Sequence, residues 1–278
     1  MNSVLTQTCQ DYEIVVVDNT STDETSEVLG GIDDPRISVI KVKNNGIIAY
    51  SRNIGMQRAK GDWIAFLDSD DVWKPDKLGK VRDVIDFNSE IILVCHDEWH
   101  VHNGLFKNRL KYGPAGTDMY ERLLFKGNCV STSAVCLRKD IAIKSHGFSE
   151  REDFSPGEDY DYWIRLSQLG EFYFIDEILG EWHIHGNNLG IVNLQKHAES
   201  IISISEYHLD LWLNKFPSTQ KQVIRGRSKA WTFSSRILQK GCIFSKAIQY
   251  AIKAICLNPF QMKAWGVLLL SLLRISSK

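Results

Sequence analysis

The sequence predicts an α/β fold: a Rossmann-like, mostly parallel sheet followed by a C-terminal helical region. Three observations carry this. Short apolar runs, "YEIVVVDN", "RISVIKV", "WIAFLDSD", "EIILVCHD", "VSTSAVCLR" and "EFYFID", recur along the first 190 residues with helical patterns between several of them. Runs such as Ile14 to Val17 are continuously apolar, as suits strands buried on both faces. After about residue 195 the strand signals stop, and "LQKHAESIISISEYHLDLWLNKF" and the segment from Gln222 onward read as helices. The expected division is therefore an α/β domain over 1–190 and a helical region over 191–278.

Composition narrows the class. The 278 residues are 44% hydrophobic and 24% charged, values ordinary for a globular protein. A net charge of -1 argues against nucleic acid as a partner. Six cysteines without CxxC spacing read as reduced thiols, and "MNSVLTQTCQ" has no apolar signal core, so a cytoplasmic location is expected. No apolar run reaches the roughly 18 to 20 residues of a membrane span.

Taken in order, the elements place the chemistry. The first strand, "EIVVV", ends in Asp18. A loop with Asn44 and Gly46 leads to a helix over 51–60, and "WIAFL" then runs into Asp68, Ser69, Asp70 and Asp71. Open α/β sheets bind ligands outside the carboxyl ends of their strands, which puts Asp18 and Asp68 on that edge. Crowded carboxylates there are tolerable if a divalent cation neutralises them, and Mg²⁺ and Mn²⁺ take such oxygen ligands together with substrate phosphates. The alternative is a turn in which Asp70 or Asp71 caps the helix starting near Pro75. Further on, His96, Glu98, His100 and His102 of "CHDEWHVH" share a strand face, an arrangement that could hold zinc. "GEDYDYWIRL" opens a helix with Glu158 and Asp159, where the helix dipole favours carboxylates; Tyr162, Trp163, Leu166 and Leu169 form its inward face, and Asp161 is expected at the surface. The last segments, "SKAIQYAIKAICLNP" and "FQMKAWGVLLLSLLRISSK", form a helical hairpin with too much apolar surface for one unit to bury.

Five stretches in order, "SVLTQTCQDYEIVVVDNTSTDET", "NNGIIAYSRNIGMQRAKGDWIAFLDSDDVWKPDKL", "GNCVSTSAVCLRKDI" with "GFSE", "GEDYDYWIRLSQLG" and "WHIHGNN", resemble the family 2 glycosyltransferases, whose fold is the A-type nucleotide-binding fold. The resemblance spans roughly residues 3 to 190. It implies an inverting sugar transfer from a nucleotide-diphospho-sugar, commonly UDP-linked, to a glycan or lipid-linked acceptor in cell-surface polysaccharide synthesis. By resemblance Asp68 and Asp70 form the Asp-x-Asp motif for Mn²⁺ or Mg²⁺ and diphosphate, and His185 joins the metal. Asp18, Asn44 and Arg52 contact the nucleotide-sugar. Asp159 is the general base with Glu158 beside it.

Some positions depart from the family pattern. Asn19 and Thr20 stand where the family has Asp and Gly, Trp182 replaces a Tyr and His183 an Arg. The family's opening strand has no counterpart, since the chain starts within the helix that follows it. A non-catalytic, glycosyltransferase-like interaction protein is therefore the competing reading. A nucleotidyltransferase would need a Gly-rich basic loop that the sequence does not show. The C-terminal hairpin either packs on the α/β domain or makes peripheral membrane contact through its apolar face.

Overall fold

The computed structural model describes residues 1–114, 118–185 and 192–276. The expected boundary at 190/191, the Gly-Asn-Asn of "WHIHGNN" and Lys278 lie outside the described residues. In chain order the elements are α1 (Asn2–Leu5), β1 (Ile14–Asp18), α2 (Thr25–Gly30), β2 (Ile37–Lys41), α3 (Ile48–Arg58), β3 (Trp63–Ala65), β4 (Val72–Trp73), α4 (Lys77–Phe87), β5 (Ile91–His102) and β6 (Leu105–Leu110). They continue with α5 (Met119–Lys126), β7 (Val135–Arg138), α6 (Lys139–Lys144), α7 (Glu158–Leu166), β8 (Glu171–Ile184), α8 (Leu194–Lys215), α9 (Gln220–Lys240), α10 (Phe244–Leu257) and α11 (Met262–Leu272).

The chain divides into two compact units. The first comprises Met1–Met119, Cys129–Glu150 and Tyr162–His185, and the second Tyr120–Asn128, Arg151–Asp161 and Gly186–Lys278. In the first unit, among the described residues, β1 and β2 form a two-stranded parallel sheet. A separate six-stranded sheet runs β3-β7-β5-β8-β4, with β6 paired to β5. β5 and β8 are parallel, and the other pairings of this sheet are antiparallel. The sheet is thus mixed where a mostly parallel one is expected. β5 is an interior strand with β7 and β8 as neighbours.

Burial follows from this pairing. Ile91 to Glu98 of β5 is buried throughout, and Val94, Ile91, Cys136, Ile175 and Leu179 meet Val81 of α4 in one core. Ile14 to Val17 of β1 is only partly buried, because β2 is its single strand partner among the described residues. That differs from the two-face burial its apolar run suggests. The start of α4 is served by Gln7, whose Oε1 accepts from the Leu78 N–H at 2.9 Å. The N-cap position of α4 is held by Asp76, and Asp71 bonds to Ser133 and the His183 N–H instead. Asp23 accepts from the Thr25 N–H at 3.0 Å and so serves the first turn of α2.

In the second unit Asn193 caps α8 by accepting from the Lys196 N–H. Leu124, Leu209, Trp212 and Val223 form one core there, and Ala198, Leu238 and Ala247 another. Ala247, Ala251 and Ala254 of α10 are fully buried, as their helical spacing predicts. No described helix is long and apolar enough to cross a membrane. All six cysteines are free thiols.

Candidate functional site

The acidic turn after β3 resolves into three carboxylates with three different partners. The Asp71 N–H donates to the Asp68 carbonyl at 3.1 Å, which closes the turn. Asp68 points to α3, where Arg52 Nη2 donates to both its oxygens at 2.9 and 3.1 Å. Asp70 points to the end of β8, where His185 Nε2 lies 2.9 Å from its Oδ2. Asp71 turns inward. It accepts from the Ser133 hydroxyl at 2.5 Å and from the His183 N–H at 2.9 Å. Ser133 in turn accepts from the Asp68 N–H at 3.1 Å. Like charges in sequence are thus separated in space, and burial pushes the innermost one, Asp71, up to about 8.

The turn therefore joins three segments of the first unit: α3 through Arg52, the helical turn Thr132–Ala134 through Ser133, and β8 through His183 and His185. The Arg52 guanidinium also lies 5.4 Å from the centre of the Phe148 ring. Asp18 ends β1 as expected, buried, with one oxygen accepting from the Ser21 N–H at 2.9 Å. Hydrogen bonds from Ser21 hold its carboxyl below the usual range. Asn44 is tied to the same strand ends, since its N–H donates to Asn19 Oδ1 at 2.8 Å. Its own side chain donates to Ser51 at 2.9 Å and accepts from the Gly46 N–H at 2.9 Å. Gly46 has φ +83°, the left-handed conformation that only glycine adopts freely. Asn44 is thus a builder of the loop that leads into α3 and Arg52.

Two of the residues expected at a metal come together and one does not. Asp70 Oδ2 and His185 Nε2 lie 2.9 Å apart, a carboxylate oxygen and an imidazole nitrogen of the kinds that Mn²⁺ takes as ligands. Asp68 gives both oxygens to Arg52 instead. Among the described residues no group of three His, Cys, Asp or Glu side chains could hold a metal ion. A cation here would thus have two protein ligands, with phosphate or water completing its shell. The same finding disposes of zinc at His96, Glu98, His100 and His102. His100 and His102 do stack on one side of β5, but His96 and Glu98 are buried inside the sheet.

The second unit holds the other acidic group, on the first turn of α7. Glu158 is buried and Asp159 half-buried. Asp159 Oδ1 accepts from the Tyr160 N–H at 2.7 Å, and Oδ2 lies 3.4 Å from the Asn128 amide. Asp161, expected at the surface, is instead buried, with its Oδ1 2.8 Å from His208 Nε2 of α8. The reason is geometric. Gly157 lets α8 come close, since a Cβ there would stand 3.1 Å from both Ile204 Cδ1 and Ser200 Oγ. Tyr162, Trp163 and Leu166 are fully buried as expected, whereas Leu169, past the helix end, is 41% exposed.

Ser133 and His208 were not legible as site residues. Each had a weak signal: a polar pair, Thr132 and Ser133, inside the apolar run "VSTSAVCLR", and a histidine on the apolar stripe Ile204, His208, Trp212 of α8.

The model of the family described as glycosyl transferase family 2 matches residues 1–144. That range holds Asp18, Asn44, Arg52, Asp68 and Asp70, while Glu158, Asp159 and His185 lie beyond it. An uncharacterized glycosyltransferase of Rickettsia conorii is 31% identical over 78% of this chain, and the match spans 35% of that longer protein. A putative teichuronic acid biosynthesis glycosyltransferase of Bacillus subtilis, TuaG, is 29% identical over 68% of this chain and 74% of its own length. Among solved structures, S. aureus TarS 1-349 in complex with UDP-GlcNAc superposes with a TM-score of 0.62 at 14% identity, covering 99% of this chain and 87% of that one. At that identity the likeness shows a shared fold.

Proposed function

The chain belongs to glycosyl transferase family 2, and on that premise we propose that it transfers a sugar, with inversion, from a UDP-linked donor to a glycan or lipid-linked acceptor in cell-surface polysaccharide synthesis. The observation that carries this reading is the turn Asp68 to Asp71, which sets Asp68 on Arg52 and Asp70 on His185 at the strand ends of the family-matched unit. The UDP-GlcNAc bound by TarS, a protein of like fold, supports the donor class, and the TuaG likeness supports the product class.

In a single displacement the acceptor hydroxyl oxygen attacks the anomeric carbon as the bond to the donor's phosphate oxygen breaks. The sugar inverts and the nucleoside diphosphate leaves. Asp159 accepts the hydroxyl proton: it is half-buried, with Oδ1 accepting from the Tyr160 N–H and Oδ2 3.4 Å from the Asn128 amide. Asp18 offers an acceptor to a ribose hydroxyl or an imide N–H. Asp70 and His185 would hold the divalent cation, which when bound supplies positive charge to the departing diphosphate. Arg52 orients Asp68 and adds a fixed positive charge beside the same turn.

The test is release of UDP from UDP-sugars in the presence of candidate acceptors. Asp159→Asn is expected to lower the transfer rate by roughly 10²- to 10⁴-fold while leaving donor affinity nearly unchanged. Loss of donor affinity in step with rate would show that Asp159 is not the base. A non-catalytic reading is favoured by one observation: β1–β2 has no hydrogen-bonded connection to the six-stranded sheet among the described residues. That reading predicts no UDP binding at all.

A further inference from the structure

Helix α11 is apolar on two sides. Ala264, Val267 and Ser271 face inward and are buried. The opposite stripe is apolar too. Phe260, Met262, Trp265, Leu269, Leu272 and Leu273 are between 46% and 88% exposed. The last five recur at i, i+3, i+7, i+10 and i+11, so they form one continuous helical face. A helix that is apolar all round is ordinarily covered all round.

The charge around this face is one-sided. From Leu211 to the end of the sequence there is no Asp or Glu, yet that segment holds twelve of the chain's 33 Lys and Arg. Two of the twelve are paired with acids of α8: Arg227 with Glu206 and Asp210, and Lys246 with Glu199. Others lie exposed around α11. Lys263 is on the helix and Arg274 just past it. Lys240 is brought to the same end, where its carbonyl accepts from the Ser276 hydroxyl at 3.1 Å.

We propose that the exposed face of α11 docks on an anionic lipid surface, with the apolar stripe in the interface and Lys240, Lys263 and Arg274 at the headgroups. The two features together select this occupant. A second copy of the chain would bring the same positive charge against itself. A polyanion such as nucleic acid would meet the basic residues and leave the apolar stripe uncovered. An anionic bilayer matches both, through apolar burial at the headgroup boundary and attraction of the flanking cations. At eleven residues α11 is roughly 16 Å long, about half the hydrocarbon thickness, so it lies in the interface and does not span. The inference rests on the surface of the second unit alone and is independent of the transferase reading.

The experiment uses the whole protein with vesicles of phosphatidylcholine, with and without phosphatidylglycerol. Flotation with the anionic vesicles is expected at low salt and is expected to fall at least tenfold in high salt or with phosphatidylcholine alone. Leu269→Glu with Leu272→Glu is expected to lower binding by a similar factor without moving the melting temperature, since both side chains are exposed. A second readout does not depend on that variant. Brominated lipid is expected to quench the fluorescence component that Trp265→Phe removes. Wild type that ignores anionic vesicles at low salt, or a Trp265 that brominated lipid leaves unquenched, would overturn the proposal. So would a dimer that the double substitution splits, because a second copy would then be the occupant.

Discussion

Asp71 shows how far a residue's fate can depend on partners distant in sequence. Its neighbours Asp68 and Asp70 are legible as a ligand-facing pair because their position after an apolar strand is a local signal. Asp71 is buried by Ser133, 62 positions away, and by the His183 N–H, 112 positions away, and nothing local announces either. Lys77 is a second residue of this kind. Its ammonium is buried over the Trp73 ring at 3.5 Å, and no hydrogen-bond partner for it is found among the described residues. Burial pushes its pKa down from 10.5 to about 8. Between those values the unfolded chain holds the proton and the folded one does not, so stability rises with pH across that window. Below pH 8 the protein bears the full cost of burying the charge. Lys77→Met is therefore expected to be more stable than wild type at pH 7 by about 3 kcal/mol. The advantage should shrink to near zero by pH 10.5 in urea unfolding at both values. A variant less stable at pH 7 would show that the Trp73 face holds the ammonium more strongly than burial opposes it.

At the scale of elements, α7 and β1 are the instructive cases. The amphipathic pattern of "GEDYDYWIRL" located α7, and the face of Tyr162, Trp163 and Leu166 is buried as the pattern requires. The pattern missed that Asp161 on the first turn meets His208 of α8, because a carboxylate next to two others reads as solvated. The pair is buried, so its two members are not equivalent to mutation. His208→Leu is expected to cost about 3–5 kcal/mol by leaving Asp161 buried without that partner. Asp161→Asn keeps an acceptor for the imidazole and should cost about 1 kcal/mol. Thermal or chemical unfolding gives the order, and equal costs would contradict it. The strands divide in the same way. Apolar runs located β1, β2, β3 and β7 and the starts of β5 and β8. They did not foretell that β8 continues through Asp176 and Glu177 to Ile184, since what extends it is pairing with β5, along which the register shifts twice next to Asp97. Nor did they foretell that β1 is only half-buried, which follows from its having one strand neighbour among the described residues.

At the scale of the whole molecule, the first unit carries the family-matched strand ends with Asp18, Arg52, Asp68 and Asp70, and the second carries Asp159 and the basic, apolar-faced helices. The proposed transfer requires a donor site at the strand ends of the first unit in which Asp70 and His185 hold a divalent cation. The most direct measurement is titration calorimetry of UDP into wild type and Asp70→Asn, each with and without Mn²⁺. Ligand at about 100 times its dissociation constant should also stabilise the wild-type fold by roughly 2.7 kcal/mol. Wild type is expected to bind UDP, Mn²⁺ to tighten the binding, and Asp70→Asn to lose the Mn²⁺-dependent part alone. Wild type that fails to bind UDP with Mn²⁺ present, or an Asp70→Asn protein that keeps the full Mn²⁺ effect, would contradict the proposed donor site.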